Sequence, residues 1–211
     1  MADYTEAEYT LLAHQEHTHA TTDTAIIGTE QAVTSQLGGT LYVYHANIEV
    51  TANATGVKYI LQGRPSHGGA TDTERWTDLV TFQTGTTAAV RAQIVAAGEA
   101  IGQTQLEVKA DPTTAFLSGS DLYMHDAGAV AGGEWGKCDY SATGGNHYVY
   151  VVDGLTGAMV EDDEIWTQAE VFAAQVDLAG IAYVRGLVNH SAATGSDIVF
   201  EALLRVATDI E

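Results

Sequence analysis

The sequence predicts an all-β protein: an antiparallel β-sandwich, jelly-roll-like, with a small inserted β-barrel-like module and an N-terminal helical or extended arm. Three observations carry this. Apolar residues alternate with period two along much of the chain beyond residue 40, the spacing of strands with one buried face. Clusters of Gly, Asn, Ser and Thr recur between these runs, as in sandwiches and barrels. Glycine is abundant at 22 residues and proline scarce at 2 (Pro65 and Pro112), so tight turns are easily made and few positions bar ladder pairing.

The elements follow in order. Residues 3–20 read as helix, because Glu6, Ala7, Leu11, Leu12, Ala13, Gln15 and Glu16 are helix formers uninterrupted by Gly or Pro. The apolar stripe Tyr4, Ala7, Tyr9, Leu11, Leu12 is narrow, which suggests a docking arm outside the core. Thr18–Thr24 reads as a polar linker. From Thr40, Leu41, Val43 and His45 point one way and Tyr42, Tyr44 and Ala46 the other, with Ile48 and Val50 continuing the alternation. A turn at 53–56 and a strand at 57–64 make the pair a predicted hairpin. After a loop at 65–72, Trp76–Phe82 is a strand with Trp76, Leu79 or Val80, and Phe82 as core candidates.

Ala88–Ala97 fits helix or strand and takes strand from its neighbours. Gln105–Lys109 leads into the module, whose strands are Ala115–Asp126, Glu134–Tyr140 and Tyr148–Val152. Ile165–Val176, Ala179–His190 and Asp197–Val206 complete the sandwich, with a turn at 191–196. The last strand sets Ile198, Phe200, Ala202 and Leu204 on one face. Residues 56–64 and 180–188 share a Gly-apolar-x-Tyr-apolar pattern that suits two central strands of one sandwich. The expected organisation is an arm at 1–35, a sandwich from 36–104 joined with 167–211, and the inserted module at 105–166.

The formal net charge of −20 comes from a shortage of bases: 28 acids are set against 8 Lys and Arg. This balance speaks against nucleic acid and anionic membrane as partners, since both require cations. A single cysteine, Cys138, allows no intrachain disulfide and reads as a small buried side chain. The opening residues lack the basic and apolar regions of a signal peptide, and no apolar run reaches bilayer length. The chain is therefore expected to be made in the cytoplasm without secretion and to remain soluble.

Residues with chemical potential have bland readings at hand. His14, His17 and His19 are metal-like, but on one helix they do not converge, and a solvated polar arm explains them. Glu161-Asp162-Asp163-Glu164 lacks the alternation and central glycine of a calcium loop and reads as a solvated turn. Asp121, His125 and Asp126 with Ser118 and Ser120 crowd one strand and turn too closely for a triad. There is no phosphate loop, nucleophile elbow or zinc cysteine pair. Asn53 and Asn189 fit the glycosylation pattern but mark only polar turns. Trp76, Trp135 and Trp166, with ten tyrosines, suit packing or subunit contact, with a sugar-binding face as the alternative. No catalytic residue, cofactor site or metal site is assigned.

Phe116, Gly119 and Asp121, then Gly133-Glu134-Trp135, then Asp153-Gly154-Leu155-Thr156 form an entry turn, a strand and an exit turn. This pattern resembles structural proteins of tailed bacteriophages, namely capsid decoration, cement or tail proteins, where such turns frame a small barrel. The resemblance covers about a quarter of the chain. It implies a non-enzymatic virion component that assembles as a symmetric homo-oligomer with itself and with neighbouring virion proteins such as the major capsid protein. The alternative is a carbohydrate- or surface-binding β-module that uses exposed Trp and Tyr.

Overall fold

The structure, a computed structural model, describes residues 5–18, 25–48, 56–65, 75–95, 97–125, 133–190 and 197–209. The turns expected at 53–56 and 191–196, most of the 65–72 loop, His19, Asn53 and Asp126 lie largely or wholly outside these residues. The described residues form strands and turns with no helix, in antiparallel sheets. The all-β sandwich class read from the sequence is the observed one.

Two sheets make the sandwich. The first runs β1 (Thr5–Thr18), β15 (Asp197–Asp209), β4 (Gly38–Asn47), β13 (Ala169–Asp177). The second runs β2 (Ile26–Ile27), β14 (Tyr183–His190), β5 (Val57–Arg64), β6 (Thr77–Gln83), with β3 (Gln31–Ala32) also on β14. Between them lie Leu41 and Val43 of β4, Phe200, Ala202 and Leu204 of β15, Tyr59 and Leu61 of β5, and Val184 and Val188 of β14. The alternation read on β4 and β15 is the one that builds this core. The two Gly-led segments with a shared pattern are β5 and β14, which pair directly at the centre of the second sheet.

Two expectations are corrected here. The helix expected over 3–20 is not formed in the described residues: Thr5–Thr18 is β1, which pairs with β15 along its length. Register shifts between Thr10 and Leu12 and between Leu12 and Gln15 break the alternation. Adjacent Leu11 and Leu12 are consequently both buried in the core, where Gly186 on β14 leaves them room. Tertiary burial of two leucines outweighs a helix propensity of a few tenths of a kcal/mol per residue, on the order of the spread among good formers. Nor do β4 and β5 form a hairpin; they sit in opposite sheets. One buried face per strand is satisfied equally by side-by-side and face-to-face packing, so alternation alone does not choose.

The remaining strands close into a six-stranded barrel in the order β7 (Arg91–Gln93), β12 (Glu164–Trp166), β9 (Asp121–His125), β10 (Gly133–Thr143), β11 (His147–Val151), β8 (Gln105–Val108). Closure comes from the Ile94–Val108 bridge and from the Lys109 N–H donating to the Gln93 carbonyl at 2.9 Å. Ile94, Leu106, Val108, Phe116, Leu122, Met124, Cys138, Val149 and Ile165 fill the barrel. It takes in β7, upstream of residue 105. Ala115–Ser120 is not strand. The N–H groups of Ala115 and Phe116 both donate to the Pro112 carbonyl, at 3.1 and 3.0 Å, and the strand begins at Asp121. The single run read at 165–176 is two strands. Gln168, at φ 61°, breaks it and passes the chain from barrel to sandwich.

Candidate functional site

The most chemically dense region is the junction between the two bodies. Along β9, Leu122 and Met124 point into the barrel, so Tyr123 and His125 point out. Register sets Trp135 of β10, Tyr123 of β9, Trp166 of β12 and Arg91 of β7 side by side in one outward row. This row meets the outer face of the first sandwich sheet, where Ala46, Val199 and Ala169 pack with Tyr123 and Trp166. Trp135 has ring contacts with Tyr123 at 4.8 Å, Tyr44 at 5.6 Å and His14 at 5.8 Å between centroids. Gly133 is needed beside this row, because a Cβ there would run into the Tyr123 phenol.

Polar groups ring the junction. His14 Nε2 lies 3.1 Å from the Tyr123 hydroxyl and His14 Nδ1 lies 3.8 Å from Glu201. His125 stands between two carboxylates, with Nε2 at 3.4 Å from Glu16 of β1 and Nδ1 at 3.9 Å from Glu164 of β12. Glu164 also accepts from Arg91 at 2.8 Å and from the Trp166 indole at 3.1 Å. Burial pushes the Tyr123 phenol up, so it stays a neutral hydroxyl. The arrangement couples β1 to the barrel. It sets no nucleophile beside an activating base among the described residues.

The residues singled out from the sequence diverge. In a strand, His14 faces the barrel, while the His17 ring meets His190 at 5.6 Å. Of the acidic run, Asp162 pairs with Lys109 at 2.6 Å, Asp163 is buried and accepts from the Val160 N–H at 2.7 Å, and Glu164 serves the junction. Asp121 lies 3.4 Å from Lys137, and the Ser120 hydroxyl donates to the Leu117 carbonyl at 2.6 Å, so neither approaches His125 as a triad member. Cys138 is buried in the barrel, and burial raises its thiol.

The tryptophans do not form one sugar-binding face. Trp166 is buried, Trp135 is half-buried in the junction, and Trp76 stands under the guanidinium of Arg185 at 4.2 Å, in the second sandwich sheet. Sequence reasoning missed the Tyr140–Tyr150 pair, which stacks at 4.0 Å and 12° with Tyr140 46% exposed. Its signal was the pairing of two strands whose tyrosines fall opposite each other.

The three phage-like motifs are joined in space. The Glu134 carboxylate accepts from the Thr156 N–H at 2.8 Å and from its hydroxyl. The Gly119 N–H donates to the Cys138 carbonyl at 2.8 Å, which ties the entry turn to β10. Phe116 and Leu155 enter the barrel core. A cavity of about 130 Å³ lies against Glu134, lined also by Met124, Gly133, Thr156, Ala158 and Met159. Its single ionisable group is the carboxylate already held by Thr156.

No family model matches this chain, and no curated protein does. Solved structures with some likeness include infectious bursal disease virus Gx strain, at 12% identity and TM-score 0.26, over 100% of this chain and 43% of that one. Another is the infectious bursal disease virus VP2 subviral particle, at 7% identity and TM-score 0.26, over 99% and 81%. A third is the T13 particle of the same virus, at 8% identity and TM-score 0.24, over 100% and 41%. This chain spans less than half the length of the first. All three come from one virus or its particles, and none of these three is a tailed-phage protein. At such scores the likeness carries no argument about fold or role.

Proposed function

We propose that this chain is a non-enzymatic structural protein of a virion, of the decoration or cement type found on tailed phages, which works by burying its surface against copies of itself and neighbouring virion proteins. The observation that carries this reading is where its large apolar side chains are left exposed. Ile101 is 68% exposed, Val160 60%, Leu117 59% and Val152 54% in barrel loops, and Leu37 at 79% and Ile27 at 55% are exposed on the sandwich. Those loops are tied together: Glu99 pairs with Met159, the Gly102 N–H donates to the Leu155 carbonyl at 2.8 Å, and the Val152 N–H donates to the Lys137 carbonyl at 2.9 Å. Large apolar side chains held exposed on ordered loops suit a contact surface.

Two further features support the same reading. His125 of the barrel faces Glu16 of β1, and His14 of β1 faces Tyr123 of the barrel, so these side chains fasten barrel to sandwich. The barrel packs on the outer face of the first sandwich sheet through Tyr123, Trp166, Ala46, Ala169 and Val199, so its exposed loops are carried on a packed base. Virion location, symmetric self-association and contact with a major capsid protein belong to the proposal.

Size-exclusion chromatography with light scattering tests it. A stable oligomer is expected, and a chain that stays monomeric at every concentration contradicts it. The exposed Tyr140–Tyr150 stack favours the second reading, a sugar-binding module. A glycan array with binding lost in Tyr140→Ala would favour that reading over the first.

A further inference from the structure

We propose that β13 is a docking edge for a second copy of this chain, and that two β13 strands pair antiparallel about a twofold axis at Ala173. The inference rests on the self-association proposed above and gives it a surface of its own, apart from the exposed barrel loops.

β13 ends the first sandwich sheet, and no described strand pairs with its outer side. It follows β4 over nine residues without a register shift. The Asn47 N–H donates to the Gln168 carbonyl and the Ile48 N–H to the Asp197 carbonyl, at 3.4 and 3.1 Å. Odd residues of β4 therefore bond towards β13 and even residues towards β15. Phe172, Ala174 and Val176, opposite Val43, Leu41 and Gly39, spend their main-chain groups on β4. The N–H and C=O groups of Val171, Ala173 and Gln175 point away from the sheet. Glu170 takes the Gly85 N–H at 3.3 Å and Phe82 of β6 stacks on Phe172 at 4.9 Å, so the described contacts from β6 and the residues after it fall near the start of the strand.

The other edges are blunted. β1 carries Glu6, Glu8 and Glu16, β6 carries Asp78 and is interrupted by a bulge, and β2 and β3 have two residues each. The barrel is closed and has no free edge. Among the described edges, β13 combines a ladder without register shifts with six consecutive uncharged residues, Val171–Val176, whereas the uncharged stretch of β1 is broken by register shifts.

The occupant follows from charge. Two copies at formal charge −20 each repel wherever acids meet. Centring the pair at Ala173 sets Val171 opposite Gln175, Glu170 opposite Val176 and Asp177 opposite Ala169. No acid faces another acid, and a twofold of this kind is the commonest closed symmetry. The product is a continuous eight-stranded sheet, because each copy contributes β1, β15, β4 and β13.

The test uses the full chain. Light scattering gives the mass of the unaltered protein and of Ala173→Lys, which sets two ammonium groups against each other on an exposed position. Near-UV circular dichroism checks that the variant is folded. Separately, Ala173→Cys is oxidised and run on a non-reducing gel, where buried Cys138 gives little background. The expected results are a dissociation constant raised about tenfold or more in Ala173→Lys and an interchain disulfide in Ala173→Cys but not in Glu8→Cys. An unaltered protein that associates while Ala173→Lys keeps its mass and Ala173→Cys stays uncoupled overturns the β13 edge and leaves self-association standing. An unaltered protein that never associates overturns both.

Discussion

The Glu134 carboxylate accepts both the main-chain N–H and the hydroxyl of Thr156, and so fastens the start of β10 to the turn that follows β11. The partners are 22 residues apart in sequence. A charged acceptor with two donors is stronger than a neutral hydrogen bond, although exposure to water discounts it. Glu134→Ala is expected to cost about 1–2 kcal/mol. Glu134→Gln should recover most of it. Urea unfolding of the two variants checks this, and equal loss in both would contradict the role given to the carboxylate's geometry.

Gly154 lies in the same turn, against the main chain of Gly102. A Cβ there would meet the Gly102 carbonyl oxygen at 2.6 Å and its Cα at 3.0 Å. Backbone cannot move aside as a side-chain tip can, so Gly154→Ala is expected to destabilise by about 1–3 kcal/mol. Thermal unfolding measures it. Gly157→Ala, with nothing within 4 Å of its Cβ, should be close to neutral.

Trp135 is the aromatic pivot of the junction. Trp135→Ala removes contacts with Tyr123, Tyr44 and His14 together, and for a half-buried ring the expected loss is about 2–3 kcal/mol. Because those contacts join barrel to sandwich, calorimetry should show one transition splitting into two. A single transition, merely shifted, would mean that the bodies are coupled elsewhere.

His45 makes the fold sensitive to acid. It is buried between the sheets, with Nδ1 2.8 Å from the Tyr59 hydroxyl, and burial with His190 nearby lowers its pKa to about 3. The unfolded chain takes up that proton near pH 6.5, before the folded chain does. Stability on this account is complete above pH 6.5 and falls at about 1.4 kcal/mol per pH unit towards pH 3. Glu99 and Glu170, raised mainly by burial, act in the opposite direction, since their folded forms protonate more readily. His45→Gln should flatten the loss between pH 6.5 and 5 in urea titrations; an unchanged slope would assign the acid response to other groups.

Much of this fold is written in local pattern. The alternation on 41–46 and on 198–204 places the right residues inside, and the turn motifs at 119–121 and 153–156 lie where the barrel requires them. What local pattern does not carry is pairing. Leu11 and Leu12 look helical until two bulges turn both inward, and β4 and β5 look like a hairpin until they are found in opposite sheets. The junction was illegible for the same reason. His14, Tyr44, Tyr123 and Trp135 come from four separated strands, and only register brings them together. The same holds for His125, whose two carboxylate neighbours are 109 and 39 positions away in sequence (125 − 16 and 164 − 125).

The central claim, that this chain is a building part of a particle, is tested most directly by quantitative mass spectrometry of purified particles from the source. The account predicts a fixed, multiple copy number per particle that survives salt washing. Recovery of the chain only in the soluble fraction, with none in particles, would contradict it.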